Sequence, residues 1–177
     1  MSDFYQHGHI ATLHRLGDQS LEMLERRIIT SVRHRPVALV IPVTLEDSRQ
    51  KTFDKILKVV AGVPYLKHVV VTTGQVKKLE DFTAICRKVK AKVPGAIILW
   101  SSGPRLGELA DRMIRKGLPV SRKDGKGRSV WFAYGYVFAR GDCRVIALHD
   151  ADIVNYDREL LGRLCFPVVS RIHTYEF

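Results

Sequence analysis

The sequence predicts an α/β fold, a mostly parallel sheet with helices on both faces. Four short apolar runs, residues 37–41, 68–73, 96–100 and 145–149, read as strands that are continuously hydrophobic rather than alternating, as strands buried on both faces are. Single segments of helical period lie between them, and strands joined by single helices run parallel. Ligands of such sheets bind outside the carboxyl ends of the strands. That is where the chemistry-bearing residues collect: residues 42–47, 72–74, 101–103 and 149–152.

Each element has its own signal. Leu21, Met23, Leu24 and Ile28 suggest an N-terminal helix, and Arg33-His34-Arg35-Pro36 reads as a basic connector ending at a proline. Residues 1–35 are therefore expected to form a helical extension and residues 36–177 the α/β core of a single domain. After the first strand, Asp47 followed by Gln50 resembles a capping box, and Phe53, Ile56, Leu57 and Val60 recur at helical spacing, so a helix is expected from Asp47 or Ser48. Leu79, Phe82, Cys86 and Val89 repeat the pattern, as do Leu106, Leu109, Ala110 and Met113. Beyond Gly127 a further helix carries Val130, Trp131, Tyr134, Val137 and Phe138, whose aromatic rings read as core at that spacing. Tyr156 to Leu164 reads as a surface helix.

A chain of 177 residues that is 46% hydrophobic and 27% charged is globular and long enough for one sizeable core. Its apolar runs are too short to cross a bilayer and its N-terminus is polar, so a cytoplasmic location is expected. Cys86, Cys143 and Cys165 lie far apart without paired spacing, which points to packing residues rather than a disulfide framework or zinc knuckle. The net charge of +11 suits an acidic partner, whether nucleotide, nucleic acid or anionic lipid. Much of the excess falls in residues 112–128, where seven basic side chains face one carboxylate, Asp124.

Asp150 and Asp152, at i and i+2 on the end of the last strand, place two hard anions together. Such a pair suits Mg²⁺ or Mn²⁺ shared with substrate phosphates; an acidic turn after a buried strand is the competing reading. Neither Gly-x-Gly-x-x-Gly nor Gly-x₄-Gly-Lys-Ser/Thr is present, which disfavours dinucleotide dehydrogenases and P-loop enzymes. Instead the first strand ends in Ile41-Pro42, and Thr44 and Glu46 are placed to read a base or ribose, while Asp47 favours a helix N-terminus. In Asp124-Gly125-Lys126-Gly127-Arg128-Ser129 a lysine sits between two glycines ahead of a helix, a setting for a phosphate or base contact that competes with a plain basic loop. His149 reads as a hydrogen-bonded core residue behind the acidic pair. The other histidines, His7, His9, His14, His34, His68 and His173, show no metal-binding spacing, and no serine or cysteine nucleophile motif is visible.

Together, a proline-ended first strand with Glu46 after it, Gly125-Lys126-Gly127 with Trp131, and a strand ending in Asp150-Ala151-Asp152 resemble the GT-A glycosyltransferases, nearest to the glucosyl-3-phosphoglycerate synthase group. Asp3-Phe4-Tyr5-Gln6, residues 12–16, Val63-Pro64-Tyr65-Leu66, Gly103-Pro104-Arg105-Leu106 and residues 156–161 extend the likeness along the chain. The resemblance implies a nucleotide-diphospho-sugar transferase fold and a retaining transfer of glucose from a nucleoside diphosphate sugar, UDP-glucose by expectation, to 3-phosphoglycerate or a similar small anionic acceptor. By motif position Pro42, Thr44 and Glu46 would line the uridine, Thr73 would lie nearby, Lys126 would reach the nucleotide, Asp150 would hold the ribose side and, with Asp152, the metal. Relatives often carry asparagine or serine before the glutamate, where this chain has Leu45. They also continue past the length of this chain, so it reads as a donor-binding part lacking the acceptor part. Two other functions compete: a nucleotidyltransferase, which would show a glycine-rich basic loop after the first strand, and a basic nucleic-acid-binding module, disfavoured because the aromatics fall at apolar helix positions. A homo-oligomer is left open.

Overall fold

The structure, a computed structural model, describes residues 19–170. The motifs at residues 3–6 and 12–16, with His7, His9, His14, Arg171, His173 and Tyr175, lie outside the described residues. Four strands, β1 (Val37–Val43), β2 (Leu66–Thr73), β3 (Ile97–Trp100) and β4 (Val145–Leu148), form one sheet in the order β3-β2-β1-β4. Every pairing is parallel: Leu39 sits opposite Val69 and Ala147, and Val71 opposite Ile98. All four expected strands are present, and parallel strands need crossovers, which the helices supply.

Alternation along the strands divides the core between the two faces. Val37, Leu39, Ile41, Val69, Val71 and Ala147 join one large cluster with α1 (Leu21–Val32), α3 (Lys51–Ala61), α4 (Leu79–Lys92) and α7 (Arg158–Val169). On the other face Ala38, Val40 and Val70 meet Ala133 and Val137 of α6 (Lys126–Arg140). Helices thus cover both faces, and among the described residues α6 is the helix that closes the smaller cluster.

Several local expectations shift. The capping box after β1 belongs to Thr44 and Asp47, not to Asp47 and Gln50: the Thr44 hydroxyl accepts from Asp47 N and the Asp47 carboxylate accepts from Thr44 N. It starts a four-residue helix, α2 (Leu45–Ser48), and α3 begins separately at Lys51 without a side-chain cap. On α6 the buried face is Ser129, Phe132, Ala133 and Val137, which leaves Trp131 45% and Phe138 72% exposed. The rotation follows from i, i+4 spacing: with Ala133 and Val137 against the sheet, positions 131 and 138 point away. Exposed aromatics weaken the ground on which the nucleic-acid reading was disfavoured. The segment expected to be a surface helix is instead core, since α7 buries Leu161, Gly162, Cys165 and Val169. It lies close to α1, where a β-carbon on Gly162 would stand 3.0 Å from Leu24 Cδ2. Arg158 also grips Glu25 of α1 with two hydrogen bonds, 2.9 and 2.6 Å. The fifth helix in chain order, α5 (Pro104–Arg115), buries only Ala110 of its apolar positions. No helix among the described residues is long and apolar enough to cross a membrane.

Candidate functional site

From β1 the chain steps outward to β2 and β3, then returns to place β4 on the other side of β1. The carboxyl ends of β1 and β4 therefore flank the point where strand order reverses, the usual ligand crevice of an open α/β sheet. A cleft opens there between residues 42–47, Gly74-Gln75, the start of α6 and residues 150–152.

Its first wall is fixed by the turn after β1. The Thr44 hydroxyl accepts from Asp47 N at 3.1 Å and donates to Asp47 Oδ2 at 2.7 Å, so the two side chains hold each other and the loop has one shape. Pro42, Val43, Thr44 and Asp47 line the cleft, whereas the Glu46 side chain is exposed outside that lining.

The floor is a hydrogen-bonded hub joining β2, β3 and α6. Thr73 is fully buried and its hydroxyl donates to Leu99 O at 3.2 Å, so Gly74 and Gln75 face the cleft in its place. Gln75 adopts φ 60°, unusual for a residue with a β-carbon, and its N–H donates to Asp124 Oδ2 at 2.7 Å. The Ser101 hydroxyl lies 2.8 Å from Thr73 O, 3.1 Å from Asp124 Oδ1 and 2.8 Å from the Ser129 hydroxyl. Ser129 donates in turn to Gly125 O at 3.0 Å. Asp124 thus ties two strand ends to the residue pair that begins α6. This 15-residue helix begins at the cleft, with Lys126 and Ser129 in its lining, and a helix N-terminus favours an anion.

The last wall follows β4. His149 N–H extends the ladder to Val40 O, and the imidazole is buried edge-on against Tyr156, with ring centroids 5.1 Å apart. Burial lowers its pKa to about 4, against a smaller opposing pull from Asp150, so the ring is neutral near pH 7. Asp150 and Asp152 both line the cleft, and Lys126 Nζ lies 2.6 Å from Asp150 Oδ1.

Of the residues singled out by sequence, Pro42, Thr44, Lys126, Asp150 and Asp152 come together on one cleft, while Thr73 lies beneath it and Glu46 beside it. Asp47, Gly74, Gln75 and Ser129 also line it, and Asp124 and Ser101 brace it. Gly74 and Ser101 were visible as strand-end residues. Asp124 was visible only as the lone carboxylate of a basic stretch, because its bracing role depends on bonds to residues 23 and 49 positions away. The two carboxylates at 150 and 152 fit a hard cation: they offer oxygen atoms on an open cleft, and Mg²⁺ commonly takes one or two carboxylates with phosphate and water completing the shell.

The chain is 35% identical over 178 aligned positions to the glucosyl-3-phosphoglycerate synthase of Persephonella marina, an alignment covering 100% of this chain and 43% of that protein. It is 32% identical over 168 positions to the glucosyl-3-phosphoglycerate synthase of Methanococcoides burtonii, covering 95% of this chain and 40% of that protein. The chain therefore spans about two fifths of the length of these curated relatives. No family model matches it, and no solved structure matches it significantly.

Proposed function

We propose that this chain, similar along its whole length to part of two glucosyl-3-phosphoglycerate synthases, binds the nucleoside diphosphate sugar of a glycosyltransferase. The donor would be UDP-glucose and the acceptor 3-phosphoglycerate or a similar small anion. The observation that carries the reading is the cleft at the strand-order reversal, where Lys126 and the amino end of α6 face Asp150 and Asp152. A diphosphate is the ligand that such a combination suits: Lys126 and the helix N-terminus offer it positive charge, and a divalent cation held by Asp150 and Asp152 would offset the repulsion of the two carboxylates.

In this reading the Pro42–Asp47 turn holds the nucleoside, with Thr44 kept in place by Asp47. Lys126 leaves Asp150 for the diphosphate, and the first amides of α6 accept the charge that grows on the leaving oxygens as the sugar-phosphate bond breaks. Fixed donors aimed at developing charge favour the transition state over the ground state. Mg²⁺ or Mn²⁺ bound at Asp150 and Asp152 would supply Lewis-acid neutralisation of the departing diphosphate. Neutral His149 keeps a positive charge out of the wall behind the carboxylates.

Calorimetric titration with UDP-glucose, in Mn²⁺ and in excess chelator, tests this. Saturable binding that requires the cation is expected. Equal binding of UDP and UDP-glucose in chelator and in Mn²⁺ would remove the metal from the reading, and no binding of any nucleoside diphosphate would remove the reading itself.

A further inference from the structure

The amino-terminal end of the sheet carries a second group of metal-ligating side chains, away from the cleft. His68 stands near the start of β2, on the same face as Val70. Its partner in register on β1 is Ala38, whose small side chain leaves room for the imidazole to reach the turn between α6 and β4. That turn has a defined shape: Gly141 ends α6 in the left-handed conformation, φ 69°, and presents Asp142 and Cys143 next in the chain. An imidazole nitrogen, a carboxylate oxygen and a thiol sulfur from these three residues all lie within 4.8 Å of one another.

The carboxylate is unevenly satisfied. Asp142 Oδ2 faces His68 Nε2 at 2.8 Å and accepts from Arg140 Nη2 at 3.0 Å. Oδ1 is buried and has no hydrogen-bond partner. A buried carboxylate oxygen without a partner is costly, and here it sits beside a thiol and an imidazole. Arg140 on Oδ2 would hold the carboxylate still while leaving Oδ1 to ligate, the role that outer partners play around metal ligands.

We propose that His68, Asp142 and Cys143 bind one transition-metal dication of the zinc class. Nitrogen and sulfur ligands select zinc or cobalt over the magnesium and manganese suited to the cleft. Tetrahedral bonds of about 2.0–2.3 Å place ligand atoms roughly 3.5 Å apart, so small side-chain rotations close the site around a metal, with water in the fourth position. The imidazole exchanges its hydrogen bond to Oδ2 for the metal, and the thiol releases its proton to solvent as the metal-sulfur bond forms. The ion would clip the start of β2 to the turn before β4, stabilising the sheet at the end opposite the cleft. No sequence motif announces it, since 74 positions separate His68 from Asp142.

The test uses the whole reduced protein, stripped of metal by chelator and titrated with Co²⁺ and Zn²⁺. Co²⁺ is expected to bind at one equivalent with near-ultraviolet sulfur-to-cobalt absorption and the strong visible bands of a tetrahedral ion. Zn²⁺ should displace it and raise the melting temperature. His68→Ala and Cys143→Ser should each weaken Zn²⁺ binding at least tenfold, and Cys143→Ser should lose the sulfur absorption while keeping the wild-type circular dichroism. Asp152→Asn should change none of these, which separates this site from the cleft. Wild-type protein without sulfur-to-cobalt absorption, or Zn²⁺ affinity unchanged in Cys143→Ser, would overturn the proposal and leave His68, Asp142 and Arg140 as an ion-paired hub only.

Discussion

A β-carbon on Gly74 would stand 2.5 Å from the Ser129 hydroxyl, closer than side-chain atoms approach one another. Ser129 cannot turn away freely, because its hydroxyl is engaged with Ser101 and Gly125 O. The end of β2 and the first turn of α6 therefore meet at a distance that only glycine permits. Gly74→Ala is expected to push the start of α6 outward, lowering stability by about 1–3 kcal/mol, the usual cost of overpacking, and weakening nucleotide binding with it. Gly135→Ala, where a β-carbon meets nothing within 4 Å inside the same helix, should instead stabilise by about 1 kcal/mol. Thermal melts of both variants, with UDP titrations, check the contrast; equal melting temperatures would show that the hub yields.

Lys126 and Asp150 form a short but largely exposed pair, and exposed pairs add only about 0–1 kcal/mol to stability. Lys126→Ala should therefore leave the melting temperature nearly unchanged while weakening UDP binding by about 1.5–3 kcal/mol, the scale of a hydrogen bond to a charged group. Asp152→Ala should behave differently, abolishing the dependence of binding on Mn²⁺. An unchanged dissociation constant in Lys126→Ala beside a clear loss in Asp152→Ala would return Lys126 to a solvated loop.

Asp124 makes no part of the cleft lining, yet its two oxygens hold Gln75 N and face the Ser101 hydroxyl. Removing it frees a backbone segment kept in a left-handed conformation. Asp124→Ala is expected to cost about 1–3 kcal/mol of stability through the orphaned donors and to weaken UDP binding without touching the ligand. Denaturant unfolding and calorimetry on the same variant check both, and binding unaffected in a destabilised protein would separate the hub from the site.

Strands were legible because the short apolar runs at residues 37–41, 68–73, 96–100 and 145–149 are each bounded by polar, glycine or proline residues. The Asp150-x-Asp152 wall was legible for the same reason, since its position is set by the end of a strand. Helix faces were not. The apolar residues of α6 run almost all round the helix, so periodicity could not tell that Ala133 and Val137 meet the sheet while Trp131 and Phe138 do not. In α7 the buried residues include Gly162 and Cys165, small side chains whose burial comes from close approach to α1 rather than from hydrophobic pattern. The bonds of the cleft floor were hidden because Ser101 after β3 is far in sequence from Asp124 in a loop and Ser129 on α6, and is joined to them only by the fold.

His149 gives the fold a pH dependence whose sign can be worked out. Burial lowers its pKa from an ordinary 6.5 to about 4, so the unfolded chain takes up the proton first as pH falls. Stability from this residue is then constant above about pH 6.5, declines as pH falls towards 4, and has no further to fall below that. The full span is on the order of 3 kcal/mol, at about 1.4 kcal/mol per pKa unit, and about 2 kcal/mol of it is gone by pH 5. His149→Phe keeps a ring against Tyr156 and removes both the proton and the buried Nδ1, which lacks a hydrogen-bond partner. Urea unfolding of wild type and His149→Phe at pH 7.5, 6 and 5 should therefore show the wild type losing about 2 kcal/mol more than the variant over that range, since the other titrating groups are common to both. Parallel losses in the two proteins would mean that the imidazolium finds water or a hydrogen-bond acceptor in the folded state, and the neutral wall behind Asp150 would have to be abandoned.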